Sequence, residues 1–426
     1  MTVGVAPGGP VFVSYRQSDG TNAATELAWL LRAAGLPVWH DQTDLPPGDT
    51  VQRLEEALAA GLSGSVLLVT PDIAKSSVVR YVELPALLRL NDDPDFVLAV
   101  ASNIRKADGK LDYGAPDLLL NQPNTFGGLN QYAADSRSDL VVLVRQVAMF
   151  RAGRIAAAGR PATAPLHLRL QTRGRPVIGV PGDADLSVRL RPGTAGRLPD
   201  RDGLLDLQST LPFLPEEFAQ TGARAVRVTG GAHLSVGFAI GTALPATLVG
   251  NLTVEGTDGE AWTCGTVSGG ADGGLVQRVS HGLGQAKPPG EPHDVVAFVE
   301  LLPSRSEAAY TRLLAERAGF DAWEYLRPAA PGTLDPAAAG PLIEEVSDHL
   351  RRLAQRHRNA TLHLLLRCPF PTAVLLGRLC NTVRTVVYEW DDSEVPGDQD
   401  HRPRYVDRVP WSGVGGSRVA SRSYCC

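Results

Sequence analysis

The chain has 426 residues, of which 43 % are hydrophobic, and a net charge of −5. That length predicts two or three domains with room for a sizeable core, and the acidic balance excludes a general nucleic-acid coat while leaving room for a small basic pocket around a short nucleotide. The five cysteines form no CxxC pair, and no His/Cys spacing suggests zinc, so no metal site is expected and the thiols are expected to be reduced, as in a cytoplasm.

Residues 1–10 lack a basic stretch followed by an apolar one, so no signal peptide is expected, and no run approaches the length of a membrane span. Residues 11–15 form a short strand. Ser18 or Asp19 then caps a helix with Leu27, Leu30, Leu31 and Ala34 on its apolar face, and Gly35 ends it. Residues 36–40 give a second strand, followed by the turn-rich run DQTDLPPGD and an amphipathic helix over 50–60. Residues 65–70 are continuously apolar, as a strand buried on both faces should be. A helix over 76–90 follows, then a strand over 96–101, and Ser138 opens a last helix. Strands alternating with helices predict a parallel sheet covered on both faces, with ligands beyond the carboxyl ends of its strands.

The helix over 76–90 carries one carboxylate in an unusual place. Val79, Leu87 and Leu90 mark its apolar stripe, and Glu83 lies four residues from both Val79 and Leu87. A solvated glutamate belongs on the opposite face. Pro85 lacks a helix donor and crowds the carbonyl of Tyr81, so the helix is expected to kink or begin late.

VFVSYRQSD, DQTDLPPGD and SSVVRYVEL, in this order and spacing, resemble the first-strand box, the BB loop and the small-aromatic-Glu motif of TIR domains. The resemblance covers roughly residues 10–150 and implies a flavodoxin-like domain. Tyr81 stands where many members have Trp or Cys, and the FW box of many members is not evident. Several enzymatic TIR domains cleave NAD at the nicotinamide glycosidic bond, and their catalytic Glu falls on Glu83. The resemblance also implies an NAD pocket from Phe12, Ser14, Arg16, Trp39, Asp44, Leu45, Gly48, Ser76 and Tyr81. For four of these a plain account stands beside it: Phe12 and Trp39 as core, Ser14 as a cap and Arg16 as a solvated charge.

Residues 151–176 hold six arginines, with Ala and Pro and no aromatic. This segment is expected to be a solvated linker between a domain over 1–150 and another over 177–412, with a disordered Gly/Ser-rich tail over 413–426. Within the second domain, residues 232–256 and 361–390 align as a weak repeat, each read as β-loop-α-β with a histidine in its first strand. Two such halves suggest a pseudo-dimer.

AHLSVGFAIG, HLLLRCPFPTAVLLGR, VVYEWDDSE and RPRYVDRV resemble a SAVED domain, two fused Rossmann-like (CARF-like) halves that bind cyclic oligonucleotides made by a partner nucleotidyltransferase in bacterial anti-phage signalling (CBASS). For the nucleotide, His233, Phe370, Pro371, Arg378, Tyr388, Trp390 and Tyr405 are the candidates: a helix start and a guanidinium for phosphate, aromatic rings for bases. The joint expectation is an effector that needs no cofactor and no DNA or membrane. A cyclic oligoadenylate, expected to be cyclic triadenylate, drives head-to-tail oligomers or filaments and so activates hydrolysis of NAD. The rivals are a non-catalytic TIR adaptor and a nuclease for the signalling nucleotide.

Overall fold

The computed structural model describes residues 4–39, 61–159, 161, 163–173, 184–193, 197–265, 274–284, 287–288, 290–317, 319–391 and 404–411, the side chains of 407–411 excepted. The loop residues Asp44, Leu45 and Gly48, the helix expected over 50–60 and the tail over 413–426 lie outside the described residues. The chain divides into two compact units, Met1–Gly230 and Gly231–Cys426.

The first unit opens with a parallel sheet in the order β2-β1-β3-β4-β5. Its strands are β1 (Val11–Ser14), β2 (Val38–Trp39), β3 (Gly64–Val69), β4 (Val97–Ser102) and β5 (Gln131–Ala133). All four pairings are parallel, and every residue of β3 is buried. On one face Val11, Val13 and Tyr15 pack under helices α1 (Gln17–Ala33) and α4 (Arg137–Ala157). On the other, Phe12 packs with residues of α2 (Leu84–Leu90) and the turn before it. A short helix, α3 (Ala115–Leu120), completes the set.

Two helix starts differ from expectation. Arg16, whose side chain makes no cap hydrogen bond, precedes α1. Ser136, not Ser138, caps α4 through a reciprocal pair with Asp139. Gly35 does end α1, at φ +88°.

The segment expected to be a solvated linker carries structure. Helix α4 continues to Ala157, and β6 (Leu166–Gln171) pairs in parallel with β7 (Leu186–Arg189). Strand β8 (Ala225–Gly231) lies beside β6. Arg151, one of the six arginines, is buried and donates to the carbonyls of Gly8 (2.9 Å) and Asp185. Helices α5 (Arg201–Thr210) and α6 (Phe213–Thr221) then cover the outer side of α1 and α4. Phe213 enters the core beneath α1, and the Ser187 N–H donates to the Gly35 carbonyl at 2.7 Å. Buried Asp206 accepts from Arg137 and Arg191, each at 2.7 Å, and both arginines also reach Glu26.

The second unit holds a six-stranded sheet in the order β11-β13-β12-β14-β15-β16. The inner strands β12 (Asp294–Glu300), β13 (Ala322–Pro328), β14 (Thr361–Arg367) and β15 (Thr385–Asp391) are parallel, and the edges β11 (Val276–Leu283) and β16 (Arg404–Trp411) are antiparallel. An antiparallel pair, β9 (Asn251–Glu255) and β10 (Ala261–Thr263), stands apart from it. The helices are α7 (Leu234–Ala243), α8 (Ala308–Glu316), α9 (Ala339–Arg356) and α10 (Phe370–Leu379). Among the described residues no helix is long and apolar enough to cross a membrane.

The repeat holds, with a shifted register. AHLSVGFAIG is helix α7, not a strand, and the strand before it is β8. The residue matching His233 is therefore Pro369, not His363. Both precede a helix with nearly the same backbone, φ −60° and ψ 147° against φ −57° and ψ 146°. Counting from those positions, Gly237 and Gly241 on α7 match Ala373 and Gly377 on α10. The two helices touch through backbone: a Cβ on Gly241 would stand 2.0 Å from the Val374 carbonyl oxygen, and one on Gly377 would stand 2.0 Å from that of Phe238.

One buried charge in the first unit sets a pH dependence. Glu217 on α6 is buried, and burial pushes its carboxyl from 4.5 up to about 8, although the guanidinium of Arg151 pulls the other way. Burial lowers Arg151 to about 10, so it stays charged at neutral pH. Between pH 4.5 and 8 the folded chain keeps a proton at Glu217 that the unfolded chain has released, so this group costs stability as pH rises through that window. Glu217→Gln should melt several degrees above wild type at pH 7.5, with the gap closing toward pH 4.5. A gap that is absent, or equal at both pH values, would show Glu217 to be ionised in the fold.

Candidate active site

The stretch before α2 is shaped by Pro85. It has no N–H for the Tyr81 carbonyl, and its ring crowds that oxygen. The Ser76 hydroxyl accepts from the Val79 N–H at 3.3 Å and starts the helical segment. Over Val79–Glu83 the chain then makes one wide turn, in which the Leu84 N–H reaches back five residues to the Val79 carbonyl. Ordinary helix resumes at Leu84 with Pro85 in its first turn, where no donor is needed.

The wide turn changes which residues share a face. The buried stripe is Val79, Leu84, Leu87 and Leu90. Leu84 takes the place that four-residue spacing gives to Glu83, and Glu83 moves to the partly exposed border. There it meets Ser14, the last residue of β1, whose hydroxyl donates to Glu83 Oε2 at 2.5 Å. Ser14 is fully buried, so the carboxylate is anchored by a charge-assisted bond at the carboxyl ends of the parallel strands.

The other expected pocket residues fall into three groups. Phe12 is 5 % exposed and belongs to the core, with Trp39 packed at its edge, which is the plain account of both. Arg16 reaches Asp19 at 3.2 Å and Asp72 at 3.6 Å. The hydrogen bond from Lys75, helped by the charges of Lys75 and Arg16, holds the Asp72 carboxyl below its usual range. Tyr81 is 69 % exposed, with the Arg80 guanidinium 5.2 Å from its ring centre. Of the described set, Ser14 and Glu83 are therefore joined directly, and Ser76 acts on the backbone of the same segment.

Of the residues expected to bind a nucleotide, three are not open surfaces. Arg378 is 3 % exposed, and its Nη2 donates to the carbonyls of Val249 (2.7 Å) and Gly250 (3.0 Å), so it braces a loop. Burial lowers its pKa. Tyr388 is buried, with its hydroxyl bonded by Arg317 and 3.0 Å from His363 Nδ1. Tyr405 is buried against Phe298, ring centres 6.0 Å apart. Neither ring has a free face for a base. His233 is buried at the start of α7, Pro371 is buried in α10, and half-buried Phe370 packs against Gly237. Trp390 alone of this set is widely exposed.

Sequence reasoning missed Glu300, Arg327 and Arg367, which lie at or next to the ends of three neighbouring strands. Their signal was faint: charged residues closing apolar strand runs. Among the described residues no group of His, Cys, Asp and Glu could hold a metal ion. Burial raises the Cys264 thiol to about 11 and that of Cys380 to about 12, which favours the protonated thiol of each at neutral pH.

Comparison with known proteins finds two families in the chain, the second beginning within the first compact unit. Residues 11–111 match the family model of the TIR domain, and residues 213–404 match that of the "SMODS-associated and fused to various effectors sensor domain", SAVED. Over 66 residues the chain is 38 % identical to the NAD(+) hydrolase PdTIR of Paracoccus denitrificans, a match that takes in 15 % of this chain and spans 22 % of that protein's length. The Cap4 SAVED/CARF-domain containing receptor of Acinetobacter baumannii, solved with the cyclic trinucleotide 2'3'3'-cAAA, aligns at a TM-score of 0.46 and 11 % identity over 93 % of this chain and 99 % of its own. The same receptor with 3'3'3'-cAAA aligns at 0.45 and 11 % over 79 % and 86 %. The chain joins a TIR domain to a SAVED sensor domain.

Proposed function

We propose that the chain is an anti-phage effector whose TIR domain hydrolyses NAD when its SAVED domain binds a cyclic oligoadenylate, with cyclic triadenylate the expected ligand. The observation that carries this is the Glu83 carboxylate anchored by Ser14 at the strand ends. The similarity to a protein named as an NAD(+) hydrolase supports it. The bond to be broken joins the ribose C1′ to a cationic nitrogen. Its electron pair leaves with the nicotinamide, which departs neutral, so no general acid is required. Positive charge builds on the ribose, and one fixed carboxylate beside it stabilises that charge, where ordinary glycosidases need two. Water then adds at C1′ and loses a proton, giving an ADP-ribose product. The chemistry needs no cofactor.

Activation by self-association belongs to the same proposal. The outer side of α1 and α4 is covered within the first unit by α5 and α6. TIR domains of neighbouring chains would therefore meet through other faces.

Two experiments test this. The first incubates the chain with NAD and a panel of cyclic oligoadenylates and follows nicotinamide by chromatography. Nicotinamide should appear with cyclic triadenylate and not without it; none with any ligand would leave a non-catalytic adaptor as the better account. The second uses Ser14→Ala. Loss of a hydrogen bond to a charged group costs ~1.5–3 kcal/mol, so kcat should fall roughly 10–100-fold with KM little changed. A wild-type kcat would remove Ser14 from the mechanism.

A further inference from the structure

The sheet of the second unit reverses its strand order at one point. From β12 the chain passes to β13 on one side, and from β14 it passes to β15 on the other. Such a point leaves a crevice at the carboxyl ends of the two strands. The residues there are charged. Glu300 ends β12 directly opposite Arg367, which ends β14, and Arg327 lies near the end of β13.

Glu300 is fully buried and accepts from Arg327, from Arg367 at 2.6 Å, from the Tyr325 hydroxyl and from the Ser306 N–H at 2.7 Å. Among the described groups bonded to it, this one carboxylate faces two guanidinium groups, so the bonded cluster carries one more positive than negative charge. The arginines spend their remaining bonds on the loop after β12. Arg327 Nη2 reaches the carbonyls of Leu302 at 3.4 Å and Pro303 at 3.3 Å. Arg367 reaches the Ser304 carbonyl and, at 2.9 Å, its hydroxyl. Their side chains remain 11 % and 22 % exposed. Exposed Arg305 and Glu307 in the same loop offset each other. Glu389, on β15, accepts from the Ser235 N–H at 2.7 Å.

A brace for a loop needs no surplus charge. Arg327's bonds of 3.3–3.4 Å to neutral carbonyls are weak, and Arg367's closer partners in the loop are neutral too. Charged acceptors bind guanidinium about twice as strongly. We propose that Arg327 and Arg367, held in place by Glu300, form a clamp that takes one phosphodiester of the activating nucleotide in exchange for the loop carbonyls. This rests on the sensor reading above and places the phosphate contact at these strand ends rather than at Arg378. Binding there frees the 302–306 loop from its arginines.

The test is calorimetric titration of the full chain with cyclic triadenylate at 50 and 200 mM salt. Arg367→Gln should bind at least ~10-fold more weakly than wild type, and with a shallower salt dependence, which a purely structural role would not produce. Ser304→Ala, which keeps both charges, should stay within about twofold of wild type. If Arg367→Gln does not fold, Arg367→Lys replaces it: weaker binding with the wild-type salt dependence supports the clamp. Wild-type affinity and salt dependence in whichever variant is folded would overturn the clamp and leave the sensor reading standing. No binding by the wild-type chain to any cyclic oligoadenylate would overturn the sensor reading and the clamp with it.

Discussion

Pro85 cannot donate a backbone hydrogen bond, and the geometry of the candidate site follows from how the chain absorbs that loss. Widening one turn moves the Leu84 donor back to the Val79 carbonyl, keeps Leu84 and Leu87 in the core and brings Glu83 to Ser14. A regular helix would bury the carboxylate in the apolar stripe, where desolvation would favour its neutral form. With the wide turn the carboxylate sits at the border of the core, held by a buried hydroxyl from another element. Wide turns of this kind are uncommon and recur at functional sites, and here the turn separates the packing residues of the helix from the carboxylate proposed to act on NAD.

The first unit is held together across the expected boundary. Helix α4 enters the segment beyond residue 150 without a break, Arg151 is buried inside it, and Asp206 ties two arginines against Glu26. Phe213 contributes to the same core as α1. Within this unit the TIR sheet and the elements over 186–221 are packed together rather than strung on a tether. An arginine-rich composition suggested a solvated stretch because a buried, paired guanidinium leaves no trace in composition.

Much of the architecture was legible in the sequence, for identifiable reasons. The runs at 11–15, 65–70 and 96–101 are short, apolar and bounded by turns, and each falls within a residue or so of a parallel strand. Glu83 stood out because it interrupts an apolar spacing. Helix α7 was misread as a strand because it is buried along nearly its whole length, and continuous apolar sequence carries no period to tell helix from strand. Arg378 looked like a ligand contact because of its guanidinium, and Tyr388 and Tyr405 because their rings could stack on bases. The guanidinium is taken by the Val249 carbonyl, Tyr388 is buried and bonded by Arg317, and Tyr405 is walled in by Phe298, contacts that pattern alone does not contain. Glu300, Arg327 and Arg367 escaped notice because they are far apart in sequence and converge only when the strands align in register.

The central claim is that one anchored carboxylate carries the chemistry. It is tested most directly by Glu83→Gln, which keeps the size of the side chain and removes its charge. Measured side by side with wild type at saturating cyclic triadenylate, the variant should bind the nucleotide with unchanged affinity and melt at the same temperature. Its release of nicotinamide from NAD should fall by about 10³-fold. Release at close to the wild-type rate would contradict the account.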